Sequence, residues 1–421
     1  MFGTKDDSVA TGSSIGAIIS PGGLNTVFME SGNIGATTSG EIVATTYIAT
    51  DTAVSAGGIG AITVYGNLPF AGIPISVAHP SLETTVSSDD SHGIYNSSFI
   101  TNAGIGPVDV TLSGTRVDGE NGGISSSLFQ AGHAIGTVTV TDNASGTGGT
   151  NYGIYNTHFN AGLNGNGGVG DISSTLTDAG PDGNSAAIAD IQVNGSVCAC
   201  MGANLGSISA ENADSASSAA GILDSVFRVY GNIGDISATM DSGVPTATAI
   251  EGSTFSAYGS IQDINVYGSV MADAYPTRFL AGYDIGSSNL ALSSTLPAVT
   301  ATGLHAGQSI GNVTITGYFQ DSDIIASINP GSSLTFGADD NTNVGAGGTI
   351  GMVNIGTQVS QENSPFTFDQ AAPHAIEAAN FISNDSPTVT AFGYTADIPV
   401  VLVDGGSGNV RITNLTQANE G

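Results

Sequence analysis

The sequence predicts an all-β protein, a right-handed parallel β-helix that stacks about a dozen coils of roughly 25–35 residues each. Three observations predict it. A frame of the form Gly/Ala-Ile-x-x-Ser/Thr-x-Phe, followed by Ile-Gly-x-Val/Ile-x-Val, recurs through most of the chain. Its apolar positions are β-branched or aromatic, the side chains that fit a pleated strand. The segments between copies are rich in Gly, Asn, Asp and Ser, the residues of turns.

The clearest copy is GISSSLFQAGHAIGTVTV, from Gly123 to Val140. GIYNSSFITNAGIGPVDV begins at Gly93, GIYNTHFNAG at Gly153, GILDSVFRVYGNIGDISA at Gly221 and AIEGSTFSAYGSIQDINV at Ala249. The step from Ile to the aromatic residue is constant in Ile94–Phe99, Ile124–Phe129, Ile154–Phe159, Ile222–Phe227 and Ile250–Phe255, with weaker copies at Ile42–Tyr47 and Ile376–Phe381. The next step, aromatic to Ile, recurs in Phe28–Ile34, Phe99–Ile105, Phe129–Ile135, Phe227–Ile233, Phe255–Ile261 and Phe279–Ile285. Leu304–Ile310 and Val344–Ile350 keep that spacing with an aliphatic residue.

Each part of the frame has a physical reading. Val-x-Val alternates, so its valines share one face and the residue between them the other. Ile135, Val138 and Val140 all face inward only if the chain bends at Gly136, and Ile124–Phe129 also needs a bend. Three short strands joined by bends make a triangular coil, stacked on the next at about 4.8 Å. Stacking then predicts columns: Ile105, Ile135, Ile233, Ile261, Ile285 and Ile310 in one, and Phe99, Phe129, Phe227 and Phe255 in another. Ser97, Ser127, Thr157, Ser225 and Ser253 form a third. No coil has a core alone; each buries its apolar face against its neighbours. Parallel crossovers are overwhelmingly right-handed, which sets the expected hand.

Residues 1–356 read as solenoid repeats with an inserted loop near 67–90, and 357–421 as an irregular final coil and cap. The stretch ADIPVVLVDGGSGNVRITN within the latter reads as a hairpin closing the stack. The segment MFGTKDDSVATGSS is too polar to plug an apolar cross-section, so the N-terminal end is the exposed one. It also lacks the apolar core of a signal peptide, so this chain carries no targeting signal.

Charge and composition exclude several functions. Of 421 residues, 36 are acidic and 5 basic, a formal net charge of -31. Such a surface repels phosphate backbones, which argues against nucleic acid as a partner. No apolar run is long enough to enter a membrane as a helix. Hydrophobic residues make up 40% of the chain, too many for disorder. Cys198 and Cys200 lie two apart, on one face of a strand, and read as small apolar fillers and not as a metal or redox pair.

The frame resembles the right-handed parallel β-helix repeat proteins of bacterial surfaces: filamentous-haemagglutinin-like adhesins, autotransporter passengers and related large exoproteins. That resemblance implies an extracellular or cell-surface location, and the reading drawn here is a structural or adhesive role as a cell-surface or filament component, non-catalytic, with surface glycans as partners. The exposed N-terminal end adds self-association end to end into a filament or oligomer, or neighbouring solenoid coils upstream of it. The chain lacks an Asn-Pro-Asn-Gly-type secretion signature and a regular Gly-Gly-x-Gly-x-Asp calcium repeat. The same fold also hosts pectin lyases, polygalacturonases and tailspike depolymerases, which is the alternative function. Its chemistry wants a basic residue or paired aspartates. Arg228 and Arg278 each flank a core Phe and should point outward, while Asp89-Asp90-Ser91-His92-Gly93 and Asp339-Asp340 read as solvated turns. The six histidines show no metal-ligand spacing. Thr137-Val138-Thr139 and Thr314-Ile315-Thr316 resemble the threonine ladders of ice-binding solenoids, but they do not recur from coil to coil. The remaining site candidate is Asp171, Asp235 and Asp263, each two residues beyond the isoleucine column. Two of these carboxylates fall in consecutive coils, where a calcium ion with oxygen ligands would relieve their repulsion.

Overall fold

The structure, a computed structural model, describes residues 14–20, 23–50, 58–65, 91–113, 121–143, 150–164, 167–177, 185–195, 203–213, 219–240, 247–271, 277–282, 308–320 and 322–326. Beyond these it describes the backbone of short segments at 328–329, 341–342, 349–351, 353–355, 358–360, 374–378, 380–381, 388–391, 394–397, 400–401 and 410–413. The predicted loop at 67–90, Ile285, Cys198, Cys200, Asp89, Asp90, Asp339 and Asp340 lie outside the described residues.

The chain is a parallel β-helix. A 13-stranded valine ladder, an 11-stranded Gly-Ile ladder and a 13-stranded aromatic ladder run the length of the stack. Within the repeats each strand pairs in parallel with its counterpart one coil away, as in Ile94↔Ile124↔Ile154 and Phe99↔Phe129↔Phe159. The triangular coil needs one correction. The isoleucine before the Ile-Gly bend pairs in its own right, through Ile15↔Ile34↔Ile59↔Ile105 and then single bridges Ile105↔Ile135↔Val169↔Leu205↔Ile233↔Ile261↔Ile310. Each coil therefore has four paired segments, three long and one very short. The short one persists because its N–H and C=O still reach the neighbouring coils: Ile135 N–H donates to Gly168, and Gly136 N–H to Ile105.

The core is the set of inward columns. Ile34, Ile59, Ile105, Ile135, Val169, Leu205, Ile233, Ile261 and Ile310 are all buried. Phe99, Phe129, Phe159, Phe227, Phe255 and Phe279 are fully buried in the aromatic ladder. Their rings stack face to face, 4.7 Å apart for Phe99–Phe129, 5.0 Å for Phe129–Phe159 and 4.8 Å for Phe227–Phe255, which is the strand spacing itself. The column steps directly from Ile261 to Ile310, so Ile310 takes the rung expected for Ile285.

Two spacings mislead. Phe28 is not a core residue: Met29 pairs with Tyr47 and is buried, while Phe28 is 46% exposed, because this coil is one residue shorter between its aromatic ladder and Ile34. Ile376 and Phe381 belong one segment later than their spacing suggests. Ile376 pairs with Ile324 in the aromatic ladder, and Phe381 with Ile350 in the isoleucine column.

The corner between the Gly-Ile and aromatic ladders shows how the serine column works. At each coil one residue adopts a left-handed conformation: Thr26, Ala44, Asn96, Ser126, Asn156, Asp190 and Asp224, with φ between 44° and 53°, then Gly252. Asn and Asp tolerate this region better than most residues. The turn takes the following N–H out of reach of the ladder carbonyls, and a hydroxyl one coil on accepts it. Thr45 N–H donates to Ser97, Ser97 to Ser127, Ser225 to Ser253 and Ser253 to Thr277. The same hydroxyls donate within their own coil, Ser97 to the Tyr95 carbonyl and Ser127 to Ser125. The column is thus a polar ladder inside the stack, satisfying groups that burial would otherwise penalise.

Glycine at the Ile-Gly corner reflects close approach. A Cβ on Gly136 would lie 2.7 Å from the backbone nitrogen of Pro107 in the coil below. The two ends of the stack differ. Toward the C-terminus the ladders turn antiparallel: 388–391 pairs with 394–397, and 410–413 pairs with both 374–378 and 400–401. Among the described residues, the N-terminal strands of the ladders are parallel ones at Ser14–Ile15, Ile18–Ser20, Leu24–Asn25 and Phe28–Ser31.

Candidate functional site

The predicted aspartates sit beside the isoleucine column, on the approach to the valine ladder. Asp235 and Asp263 occupy consecutive coils, as their spacing requires, whereas Ser207 stands between the levels of Asp171 and Asp235. Each carboxylate accepts a backbone N–H from the next coil: Asp171 Oδ1 from Ser207 at 2.7 Å, Asp235 Oδ1 from Asp263 at 3.2 Å, and Asp263 Oδ1 from Asn312 at 2.7 Å. Among the described residues no group of three or more His, Cys, Asp and Glu side chains gathers as a metal site would.

A matching column escaped the sequence reading. On the other side of the isoleucines, Asn33 Oδ1 accepts from Gly58, Asn204 Oδ1 from Asn232, and Asn232 Oδ1 from Ser260. Asn and Asp on either side of the short paired segment therefore do one job: they take the N–H that the bend turns away from the ladder. The signal was available in the sequence, as a polar oxygen directly before the Ile and two residues after it.

The outer face of the valine ladder is the most regular surface. One row runs Thr38, Thr63, Asp109, Thr139, Ser173, Ser209, Ser237, Asn265 and Thr314 along paired positions. A second row holds Thr111, Thr141, Thr175, Glu211, Thr239 and Tyr267. A polar group, most often a hydroxyl, therefore persists from coil to coil where the Thr-x-Thr motif does not, because register and not motif decides which residues stack.

Arg228 and Arg278 do point away from the aromatic core, but neither is a solvated charge. Arg228 is 8% exposed; its guanidinium donates to the Tyr230 hydroxyl and lies over the Tyr230 ring. Arg278 pairs with Asp323, its neighbour one coil on, at 3.2 Å. Both cations are tied into the scaffold.

Among the described residues, two carboxyls are shifted. Burial raises the pKa of Glu41 and of Asp190, in each case by desolvation of the charged form. They stand in different parts of the stack, so they do not make an acid–base pair. No family model matches the chain, and neither a curated protein nor a solved structure does.

Proposed function

We propose that the protein is an extracellular structural or adhesive β-solenoid, which works by presenting a rigid repeated surface and not by catalysis. The observation that carries the reading is the outer face of the valine ladder, where small hydroxyl, amide and carboxylate groups repeat at one strand spacing over the stack. The backbone beneath is pinned at its corners by the serine, asparagine and aspartate columns. A rigid repeated face meets an extended partner at many points at once, and weak contacts in series add up to useful avidity. Surface glycans and other cell-surface proteins are partners of that kind. The net charge of -31 disfavours polyanions. The extracellular location rests on the likeness of repeat style to bacterial exoproteins.

The test is a binding panel. Purified protein is immobilised and presented with neutral and acidic polysaccharides, and the soluble fraction is assayed for new reducing ends. Retention of a neutral, repetitive glycan without cleavage supports the reading. Turnover of any polysaccharide overturns it in favour of a pectin-lyase-like or tailspike-like enzyme.

A further inference from the structure

We propose that a neutral, extended polysaccharide lies lengthwise on the outer face of the valine ladder, with sugar rings stacked on Tyr65 and Tyr267. This site rests on the adhesive reading and gives it a partner. Among the described residues five large hydrophobic side chains are exposed, and two of them stand in one row. Tyr267 is the neighbour of Thr239 in the second outward row and is 49% exposed. Tyr65 follows Val64, the partner of Val110, so it stands one rung from Thr111 in that same row, and it is 44% exposed. Exposed hydrophobic residues scattered singly need no explanation, and a row of hydroxyls alone is a solvated face. A tyrosine at each end of one hydroxyl row is different. Both rings lie outside the core, and neither stacks on another aromatic among the described residues. The packing of the stack makes no use of them.

The chemistry of the face selects a sugar chain. A pyranose has an apolar C–H face, which packs on an aromatic ring, and a rim of hydroxyls, which exchange hydrogen bonds with hydroxyl, amide and carboxylate groups. The face offers both kinds of contact in register. Thr111, Thr141, Thr175, Glu211 and Thr239 stand between the two tyrosines, which places the rings six rungs apart, about 29 Å at the strand spacing. An extended chain of pyranoses advances by about one strand spacing per sugar, so each sugar meets a fresh rung and the chain reaches a ring at either end. Charge narrows the class. Asp109 and Glu211 lie in the two outward rows, Asp171, Asp235 and Asp263 lie at the approach to the ladder, and neither row holds a lysine or arginine among the described residues. Polyanionic glycans are therefore repelled. A polycation would be attracted, but it has no use for the tyrosines, and the other rungs between them present hydroxyls and amides.

The test is affinity electrophoresis and titration calorimetry of the whole chain with hydroxyethylcellulose and mixed-linkage β-glucan as neutral chains, polygalacturonate as the acidic chain and poly-lysine as the polycation. The expected result is retention of the neutral chains alone. Tyr267→Ala and Tyr65→Ala should each weaken binding of the polymer about fivefold, and together by about the product, while Tyr267→Phe keeps the ring and the affinity. The gain in affinity from a short β-glucan oligosaccharide to the polymer should shrink in either alanine variant, because only a long chain reaches both rings. Both positions are exposed, so the fold is expected to survive, and matching urea midpoints check it. Leu163→Ala, at a 38% exposed site on another corner, is the control that leaves binding unchanged. Retention indifferent to both tyrosines overturns the proposal and leaves the adhesive reading standing. Retention of poly-lysine without any neutral glycan overturns the proposal in favour of a polycation. Failure of the parent to retain any glycan also overturns it, and leaves protein partners to the adhesive reading. Cleavage of a retained chain overturns the adhesive reading instead, and the tyrosine variants still decide the site.

Discussion

Truncating Phe129 to alanine is the sharpest test of the aromatic column. The ring is fully buried and lies between two others, 4.7 Å from Phe99 and 5.0 Å from Phe159, with interplanar angles of 10° and 13°. Removing it forfeits the transfer free energy of a buried aromatic and two stacking contacts, and it leaves a gap. The gap cannot close by collapse along the stack, because the ladder bonds on both sides hold the coils one strand spacing apart. The cost therefore falls in the usual range for large core truncations, about 3–5 kcal/mol. Phe28→Ala is the matched control. The same chemical change at a 46% exposed site should cost no more than about 0.5 kcal/mol. Urea denaturation followed by far-UV circular dichroism gives both numbers, and hydrogen exchange shows whether the loss is centred on the coils flanking Phe129. Equal costs for the two variants, or a loss below about 1 kcal/mol for Phe129→Ala, would refute the assigned register.

Three further outcomes follow from the polar columns and the shifted carboxyls. Ser127→Ala removes the acceptor of the Ser97 N–H and should cost about 1–3 kcal/mol in the same denaturation assay, while Ser127→Thr should be near neutral because Thr45 and Thr157 hold equivalent places. Asp263→Asn keeps an oxygen for the Asn312 N–H and should be neutral, and Asp263→Ala should cost about 1 kcal/mol; melting midpoints with calcium and with chelator should coincide, since two neighbouring carboxylates with one oxygen each committed fall short of a calcium shell. Glu41 and Asp190 bind a proton more tightly folded than unfolded, so their contribution to stability is complete below the unfolded pKa and is lost as pH rises through the raised folded value. Calorimetry should therefore show the melting temperature gaining a contribution from these two groups as pH falls through their raised folded pKa toward the ordinary carboxylate range, with Glu41→Gln reducing the effect.

The columns were legible because stacking repeats them. Ile over Ile and Phe over Phe needs only a constant spacing, and spacing is what a sequence displays. It misled where a coil was one residue short, at Phe28 and Met29, and near the C-terminus, where Ile376 and Phe381 keep the interval but serve the next pair of segments. The polar corners were harder to see. The left-handed residue varies from Ala44 to Asn96 to Asp224, because the turn asks for a backbone conformation and not for one side chain. The aspartates stood out in the sequence as a pair of charges that suggested a cation; that one oxygen of each accepts a backbone N–H from the next coil is visible only in the fold. The outward hydroxyl rows were missed because a search for Thr-x-Thr compares neighbours in sequence, while the rows compare residues a whole coil apart.

Near-identical repeats raise a problem that the columns alone do not solve. A coil that slipped by one whole repeat would still set Ile on Ile and hydroxyl on hydroxyl, at little cost. The order of coils must therefore be encoded where the columns are broken. Gly123 lies against Val140, and a Cβ there would come within 2.2 Å of the valine; Ala187 is admitted in the same column where the ladder opposite carries Ala210. Val193 replaces Phe in the aromatic ladder at the coil where Ile191, fully buried, replaces the corner hydroxyl and restores apolar volume. Tyr47 carries its hydroxyl into the core at the level where Thr37 replaces the valine-ladder aliphatic. Arg278 meets Asp323 across one pair of adjacent coils. Each pair is compatible only with its own neighbour, so a slipped register would set an alanine against a valine or strand a charge. The repeat specifies a solenoid, and these paired exceptions specify which coil lies on which.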